Sequence, residues 1–482
     1  MSGPYEAVVA HFDRLAREED RWLRRTSGYH LLARGLHRSL ISPGRSVLEI
    51  GCGRGDLLAA LAPSRGVGVD VSPAMVAAAR ERHPELRFEC VAGEELDLGE
   101  RFDYVVLQDL VPYVDDLQAL MDRVAAHCHD RTRVVVSTYS NLWRAPLALL
   151  AALRLRPWRP VRNWVAPRDL GDLLSLAGLE TVTRRNEVLL PVRSRPLSLP
   201  VNGFLGRLPG IRQLCLSSWV IARPAPRRRE PLGVTVVVPC RNESGSIEEL
   251  VRRIPEMGPG TEVLFVEGGS TDDTRARIER AIAEHPERDM RLVVQTGRGK
   301  SNAVWEGFEH ARNPVLMILD GDMTVPPEDL PKFYEALSSG AGEMVNGNRL
   351  VYGMEPGAMR FLNMLGNKAF GWLLCFVLGQ YVKDTLCGTK VILREDYERI
   401  RAQRAQFREH DPFGDFDLLL GSSLLGLRIV NVPVRYAARV YGETNIHRFR
   451  QGWLLVRLAF AGFRRIWIEP VDAGSPKALP GP

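Results

Sequence analysis

The chain is predicted to be of the α/β class, with two domains in series, each a mainly parallel sheet covered by helices. Short β-branched runs (SVLEI, VGVDV, DYVVL and RVVVS, then VTVVVP, EVLFVEG, RLVVQ and VLMILD) alternate with amphipathic stretches along most of the length. A Pro- and Arg-rich seam, ARPAPRRREPLG at 222–233, interrupts that rhythm. Residues able to do chemistry gather where strand-like runs give way to helix-like ones, the place where open α/β sheets bind ligands.

The totals agree. A chain of 482 residues, 45% hydrophobic and 25% charged, is ordinary globular material. Its length allows roughly two to four domains. The expected boundaries are 1–222 and 233–468, joined by a linker at 223–232 and followed by a disordered tail at 469–482. Seven cysteines are scattered with no C-x-x-C pair, which argues against a disulfide framework or a zinc site and suits a reducing cytoplasm. The first twenty residues mix both charge signs and lack the apolar core of a secretory signal. The longest uncharged apolar stretch, Ala369 to Val382, is shorter than the roughly 20 residues a spanning helix needs, so a buried or interfacial position is expected. The net charge of +6 is spread out and not interleaved with aromatics. It suits phosphorylated substrates or an anionic membrane face and not nucleic acid.

In the first half, VLEIGCGRG (47–55) is a strand-like run entering Gly51, Gly53 and Gly55. Glycines let the backbone turn tightly against a ligand. Asp70, nineteen residues past Gly51, ends the next strand-like run, where a carboxylate can take both hydroxyls of a ribose. A dinucleotide fingerprint would place glycine where Asp56 stands, facing pyrophosphate, so an adenosine-type cofactor without phosphates fits better. With E-x-G-x-G-x-G at Glu49 to Gly55, VDVSP at 69–73 and FDYVVLQDL at 102–110, the segment from about 25 to 222 resembles the class I S-adenosylmethionine-dependent methyltransferases, whose sheet is Rossmann-like.

The resemblance implies S-adenosylmethionine as cofactor, bound by Glu49 among others, with Gly51, Gly53 and Gly55 under its amino-acid end, Asp70 on the ribose, and Gln108 and Asp109 beside the methyl group. The chain departs from it at Val91, Ala92 and Gly93, ahead of a helix begun by GEEL, where many relatives carry an acid that contacts adenine. No methyl acceptor is indicated. Tyr113, His30 and His127 read as structural, and an acceptor that is already nucleophilic needs little beyond proximity and orientation. The basic, apolar stretch NLWRAPLALLAALRLRPWRP after Ser140 is open to three readings: a cover over the acceptor, a membrane contact or a plain helical lid.

In the second half, MILDGDMTV (317–325) ends an apolar run with two aspartates, Asp320 and Asp322. Positions i and i+2 of a strand face the same way, so their repulsion must be relieved by a proton or a cation. Pro326 and Pro327 exclude a central paired strand, and PEDLPKFYEAL reads as the capped start of a helix. Two carboxylates on such a strand-to-helix loop most simply bind Mg²⁺ or Mn²⁺, which would hold a diphosphate.

VTVVVPCRNE (234–243), VLFVEGGSTDDT (263–274), GRGKSNAVWEGF (297–308) and DGDMTVPPEDL (320–330) follow the order and spacing of family 2 glycosyltransferases of the GT-A fold. KDTLCGTKVILRE (383–395), FGDFDLLLGSSLLGLRIVNVPVRY (413–436) and YGETNIHRF (441–449) resemble the polyprenyl-phosphate branch, which includes dolichyl-phosphate mannose and glucose synthases. Over about 233–460 the resemblance implies a nucleotide-diphosphate sugar donor contacted by Pro239, Asn242, Glu243, Glu267, Ser270, Lys300 and Asp320, and a metal on Asp320 and Asp322. It further implies Asp384 and Asp415 as the residues acting on the acceptor, and Arg435, Arg439 and Arg448, with His447, on its phosphate. The acceptor is a lipid phosphate or another small molecule. The usual Asp-Asp-Gly-Ser is here Glu267, Gly268, Gly269 and Ser270, and Thr324 stands where some relatives add a metal ligand.

RQGWLLVRLAFAGFRRIW (450–467) places Arg450, Arg457 and Arg464 on one stripe with tryptophans and phenylalanine around it. That suits either a helix lying in lipid headgroups at the inner face of the membrane or simple packing. The sequence thus predicts a bifunctional cytoplasmic enzyme: an inverting, metal-dependent glycosyltransferase fused to a methyltransferase. The alternative is a first domain that only senses cofactor or recruits acceptor. A nucleotidyltransferase is disfavoured, because VVVPCRNE lacks the opening glycine- and lysine-rich loop.

Overall fold

The computed structural model describes residues 5–17, 21–153, 159–192, 194–352, 361–404, 416–436 and 448–470. These form two compact units, Met1–Ala225 with Arg464–Pro482, and Pro226–Phe463.

The first unit is built on seven strands: β1 Ser46–Ile50, β2 Arg65–Asp70, β3 Arg87–Cys90, β4 Phe102–Gln108, β5 Cys128–Tyr139, β6 Leu179–Glu187 and β7 Ser217–Pro224. Their order is β3-β2-β1-β4-β5-β7-β6, with β7 antiparallel to both its neighbours and the pairs from β3 to β5 parallel. Successive side chains point to opposite faces, so each strand feeds two cores. Val47, Val106 and Val135 pack with Trp219 and with Leu32, Ala33 and Leu36 of the helix Arg21–Leu40. Leu48, Val105, Leu107 and Val136 pack on the other face with Leu120, Leu170 and Leu174. Ser72 and Asp116 cap the helices that follow β2 and precede β5, accepting from the N–H groups of Met75 at 3.2 Å and Ala119 at 2.9 Å.

The second unit contains β8 Val234–Cys240, β9 Thr261–Glu267, β10 Met290–Val294, β11 Val315–Ile318, β12 Met344–Asn348, β13 Lys390–Leu393 and β14 Ile429–Pro433. Their order is β10-β9-β8-β11-β13-β12-β14. The first four are parallel, β13 is antiparallel to β11 and β12, and β14 is parallel to β12. Val234, Val236 and Val238 enter the main core, with Ile247, Leu250 and Val251 on the helix above them. On the opposite face the helix Lys300–His310 lies so close to β8 that a Cβ at Gly307 would stand 2.3 Å from Val237 Cγ1. That close approach fixes where Lys300, the helix's first residue, emerges.

Both predicted α/β sheets are present. Three local expectations changed. GEEL forms a single 3₁₀ turn, Gly93–Glu95, because Leu96 at once leaves helical geometry. β7 runs through Pro224, so the expected linker starts inside a strand. Arg464–Ile468 groups with the first unit, where the guanidinium groups of Arg185 and Arg207 lie over the Trp467 ring at 4.8 and 4.5 Å. The expected tail beyond residue 470 lies outside the described residues.

Glu262, fully buried in β9, accepts from the Thr235 hydroxyl at 2.6 Å, the Arg312 N–H at 2.9 Å and the Arg291 guanidinium at 2.8 Å. Glu262→Ala should cost about 3 kcal/mol, read as a lowered thermal midpoint; an unchanged midpoint would show that this node does not hold the sheet.

Candidate functional site

A cavity of about 310 Å³ opens at the carboxyl ends of β1, β2 and β4. After β1 the backbone passes through Gly51, Gly53 and Gly55 at φ of 78°, 52° and 75°, left-handed values that glycine adopts without strain. A Cβ at Gly51 would press to 2.9 Å of Leu110, and one at Gly55 to 2.6 Å of the Phe88 ring. Asp70 accepts from the Gly53 and Ser72 N–H groups, each at 2.9 Å. Burial pushes its carboxyl up, and those two N–H groups pull it back. Glu49 is buried, and one of its carboxylate oxygens has no hydrogen-bond partner; burial holds its carboxyl well above the ordinary 4.5. An orphaned buried oxygen in a cavity wall fits a ligand that brings a donor or a positive charge.

Asp109, just past β4, adopts φ 52°, a costly value for a non-glycine residue that its contacts sustain. Its N–H reaches Ser137, and its carboxylate accepts from the Tyr29 hydroxyl at 2.9 Å and the Ser137 hydroxyl at 3.2 Å. Of the expected cofactor residues, Glu49, Gly51, Gly53, Asp70, Gln108 and Asp109 line the cavity, and Gly55 is not in its lining.

Other walls were not anticipated. The helix Glu6–Arg17 contributes Val8, Phe12 and Leu15, preceded by Tyr5. It is fastened by Arg54, which donates to the Leu15 and Ala16 carbonyls at 2.8 and 3.2 Å, by the Ser72 hydroxyl on Asp13 at 2.5 Å, and by the Tyr5 hydroxyl on Glu94. Val91, Ala92 and Gly93 line the cavity without an acid, and the next residue, Glu94, is already taken by Tyr5 and by the N–H groups of Asp115 and Asp116. His30 and Tyr113, read as structural, are in the wall. His127 is indeed held at both ring nitrogens, by the Leu98 N–H and the Arg123 carbonyl.

In the second unit a connected set forms where β8 and β9 end. Asn242, at φ 57°, donates its N–H to the Ser270 hydroxyl at 3.0 Å and accepts from the Thr271 N–H at 2.8 Å. The Ser270 N–H in turn donates to Glu267 at 2.5 Å. A Cβ at Gly321 would lie 3.3 Å from the Pro239 carbonyl and 3.4 Å from Glu243 Cγ, so the aspartate loop rests on the β8 loop.

Asp320 is ion-paired with Lys300. Burial, which would raise its carboxyl, is outweighed by Lys300 and then by Lys390 and Arg349, which hold it below the ordinary range. Gly388 lies against this pair: a Cβ there would be 2.2 Å from Asp320 Oδ2 and 2.7 Å from Lys300 Nζ. Asp322 accepts from the Thr324 N–H at 3.1 Å and its hydroxyl at 2.9 Å. Strand alternation does not govern this pair, because β11 ends at Ile318 and the chain then turns, with Met323 at φ 52° donating to the Asp320 carbonyl. The two carboxylates are therefore engaged separately, and the cation beside Asp320 is a lysine. No cluster of three or more acidic, histidine or cysteine ligands occurs among the described residues. Two carboxylates still suit a hard ion that completes its shell with diphosphate and water, with Lys300 competing for one of them.

Asp384 is fully buried and bidentate to Arg349, at 2.7 and 2.9 Å, and also accepts the N–H groups of Arg349 and Leu386. This makes it a positioning residue for Arg349, whose guanidinium also lies 4.9 Å from the Tyr436 ring. Arg435 is exposed, over Tyr352 at 5.9 Å. Asp415, Arg439 and His447 lie outside the described residues, as does the side chain of Arg448, which opens the helix Arg448–Phe463.

Residues 235–401 match the family model for glycosyl transferase family 2, and residues 22–184 that for a methyltransferase domain. Glycosyltransferase AglJ of Haloferax volcanii is 32% identical over 228 residues, which is 47% of this chain and 70% of the relative. The chain belongs to glycosyl transferase family 2. As a family 2 enzyme carrying a methyltransferase domain, it is also 31% identical to the dolichyl-phosphate hexose transferase of the same organism, over 45% of the chain and 89% of the relative. The dolichol-phosphate mannosyltransferase of Pyrococcus furiosus is 28% identical over 44% of the chain, which spans only 59% of that relative.

Because the Glu49 carboxyl is raised in the folded state, its contribution to stability is lost as pH rises from about 4.5 through the raised value. Glu49→Gln should lack that loss, so its thermal midpoint should gain on the wild type as pH rises above about 4.5. Parallel pH profiles would contradict the assignment.

Proposed function

We propose that the second unit transfers a sugar from a nucleotide diphosphate to a polyprenyl phosphate, and that the first unit transfers a methyl group from S-adenosylmethionine. The observation that carries the first part is the convergence of Asn242, Ser270, Glu267, Lys300 and Asp320 at the carboxyl ends of β8, β9 and β11. Pro239 and Glu243 lie against the aspartate loop at Gly321. The acceptor class is supported by relatives named for dolichol phosphate and undecaprenyl phosphate.

Asp320 and Asp322 would hold Mg²⁺ or Mn²⁺, which when bound supplies charge stabilisation to the departing diphosphate. Lys300 offers positive charge to the same oxygens. Arg349, fixed by Asp384, and Arg435 offer it to the acceptor phosphate, with Arg439 and Arg448 as further candidates. That phosphate is already anionic and needs no strong base, which accords with a buried Asp384 engaged by Arg349 and the Leu386 N–H; Asp415 is left to orient the acceptor. One in-line displacement inverts the anomeric carbon. In the first unit the glycine loop, Glu49, Asp70, Gln108 and Asp109 would hold S-adenosylmethionine, which supplies an activated methyl group.

A membrane-facing surface suits such an acceptor. The helices Phe361–Leu378 and Arg448–Phe463 bury Leu374, Val377, Leu455 and Leu458 and stack Phe376 on Phe463. Their outer side exposes Trp372 at 81%, Trp453 at 67% and Phe460 at 65%, with Lys368 and Arg457. Neither 361–383 nor 448–463 contains an acidic residue. No described helix is long and apolar enough to cross a membrane. This basic, aromatic face fits an anionic bilayer surface.

Asp320→Asn should lower sugar transfer about 100-fold or more while S-adenosylhomocysteine still binds. Wild-type turnover in that variant, or turnover surviving complete chelation, would remove the metal assignment. Trp372→Ser with Trp453→Ser should reduce co-sedimentation with phosphatidylglycerol vesicles several-fold; unchanged sedimentation would refute the membrane face.

A further inference from the structure

The cavity of the first unit contains a cation that the cofactor residues do not account for. Beyond the helix Arg144–Ala152 the chain returns at Arg159, whose side chain lines the cavity together with His30, Asp109 and Tyr113. Its Nη1 donates to the hydroxyls of Tyr113 at 3.3 Å and Tyr139 at 3.0 Å, and its Nε is buried with no hydrogen-bond partner. A guanidinium has five N–H donors and no acceptor. Here its hydrogen-bond partners are neutral phenols. Asp109 adds negative charge from farther off, but its carboxylate accepts from Tyr29 and Ser137. His30 stays neutral, pushed down to about 4 by burial and then by Arg159 itself, so it adds no second cation.

The phenols matter because of where their protons go. Having accepted a hydrogen bond from Arg159, the Tyr113 hydroxyl keeps its own proton for donation, and Tyr113 is part of the cavity wall. A guanidinium with spare donors next to such a hydroxyl is a receptor for a planar or tetrahedral oxyanion. The glycine loop, Glu49 and Asp70 belong to the cofactor, whereas Arg159 and Tyr113 lie with Asp109 at the end of β4, where the methyl group is expected.

We propose that Arg159 and Tyr113 recognise an anionic group, a carboxylate or a phosphate, on the methyl acceptor. This rests on the methyltransferase reading of the first unit. Neutral and cationic amines lacking such a group are disfavoured, since they would bury the guanidinium without a counter-charge.

The test uses the full chain saturated with S-adenosylhomocysteine and titrated calorimetrically with benzoate and with inorganic phosphate at constant ionic strength. At least one anion should bind the wild type, and at least tenfold more weakly Arg159→Gln, while the affinity for S-adenosylhomocysteine changes by less than twofold. Tyr113→Phe, which keeps the ring, should weaken the same anion by a few-fold. Preference for benzoate marks a carboxylate acceptor, and preference for phosphate a phosphorylated one. Equal anion binding in wild type and Arg159→Gln overturns the proposal, because any response then comes from elsewhere, including the basic residues of the second unit. A tenfold loss of S-adenosylhomocysteine affinity in Arg159→Gln also overturns it, since Arg159 would then hold the cofactor's own carboxylate. If the wild type binds no S-adenosylhomocysteine, the methyltransferase reading fails first and takes the proposal with it.

Discussion

A carboxylate taken out of water must find a cation, a donor or a proton, and this requirement organises both units. In the first, Asp70 is met by two backbone N–H groups and Asp109 by two hydroxyls, while Glu49 keeps one oxygen unmet. In the second, Asp320 is met by Lys300, Asp384 by Arg349 and Glu262 by Arg291. The buried acids that are fully answered hold the scaffold. Those answered in part, such as Glu49, or by a flexible lysine, such as Asp320, are the ones the proposed function draws on.

Part of the backbone strain falls at the same places, with Ala62 and Val188 strained elsewhere. Asp109, Asn242 and Met323 are non-glycine residues at positive φ, each on a loop just beyond a strand end. Each donates its N–H to a fixed partner, Asp109 to Ser137 in β5, Asn242 to Ser270 on the β9 loop and Met323 to the Asp320 carbonyl of its own turn, so these contacts sustain the cost. The sheets supply rigid strand ends, and these few residues set the course of the loops that leave them.

What the sequence made legible was local. The glycine run after β1, Asp70 at the end of β2 and the aspartates after β11 are short patterns whose meaning depends on neighbours a few residues away. What it hid was long-range. Lys300 meets Asp320, Arg349 meets Asp384 and Arg159 meets Tyr113 across separate elements, and nothing in the spacing of those residues distinguishes them from solvated charges. The helix Glu6–Arg17 was similarly invisible as a cavity wall, because its contacts with Ser72, Arg54 and Glu94 exist only once the sheet has formed. Local rules misled where an element's end lay elsewhere than the pattern implied: strand alternation does not reach Asp320 and Asp322, because β11 has already ended, and the Pro- and Arg-rich seam predicts a linker where β7 still runs.

Gly388 shows how a residue without charge or function of its own can govern a site. It leaves just enough room for Asp320 and Lys300 to meet. A single methyl group added at this position would oblige one or both of those side-chain ends to shift, although no acid or base of the site had been changed.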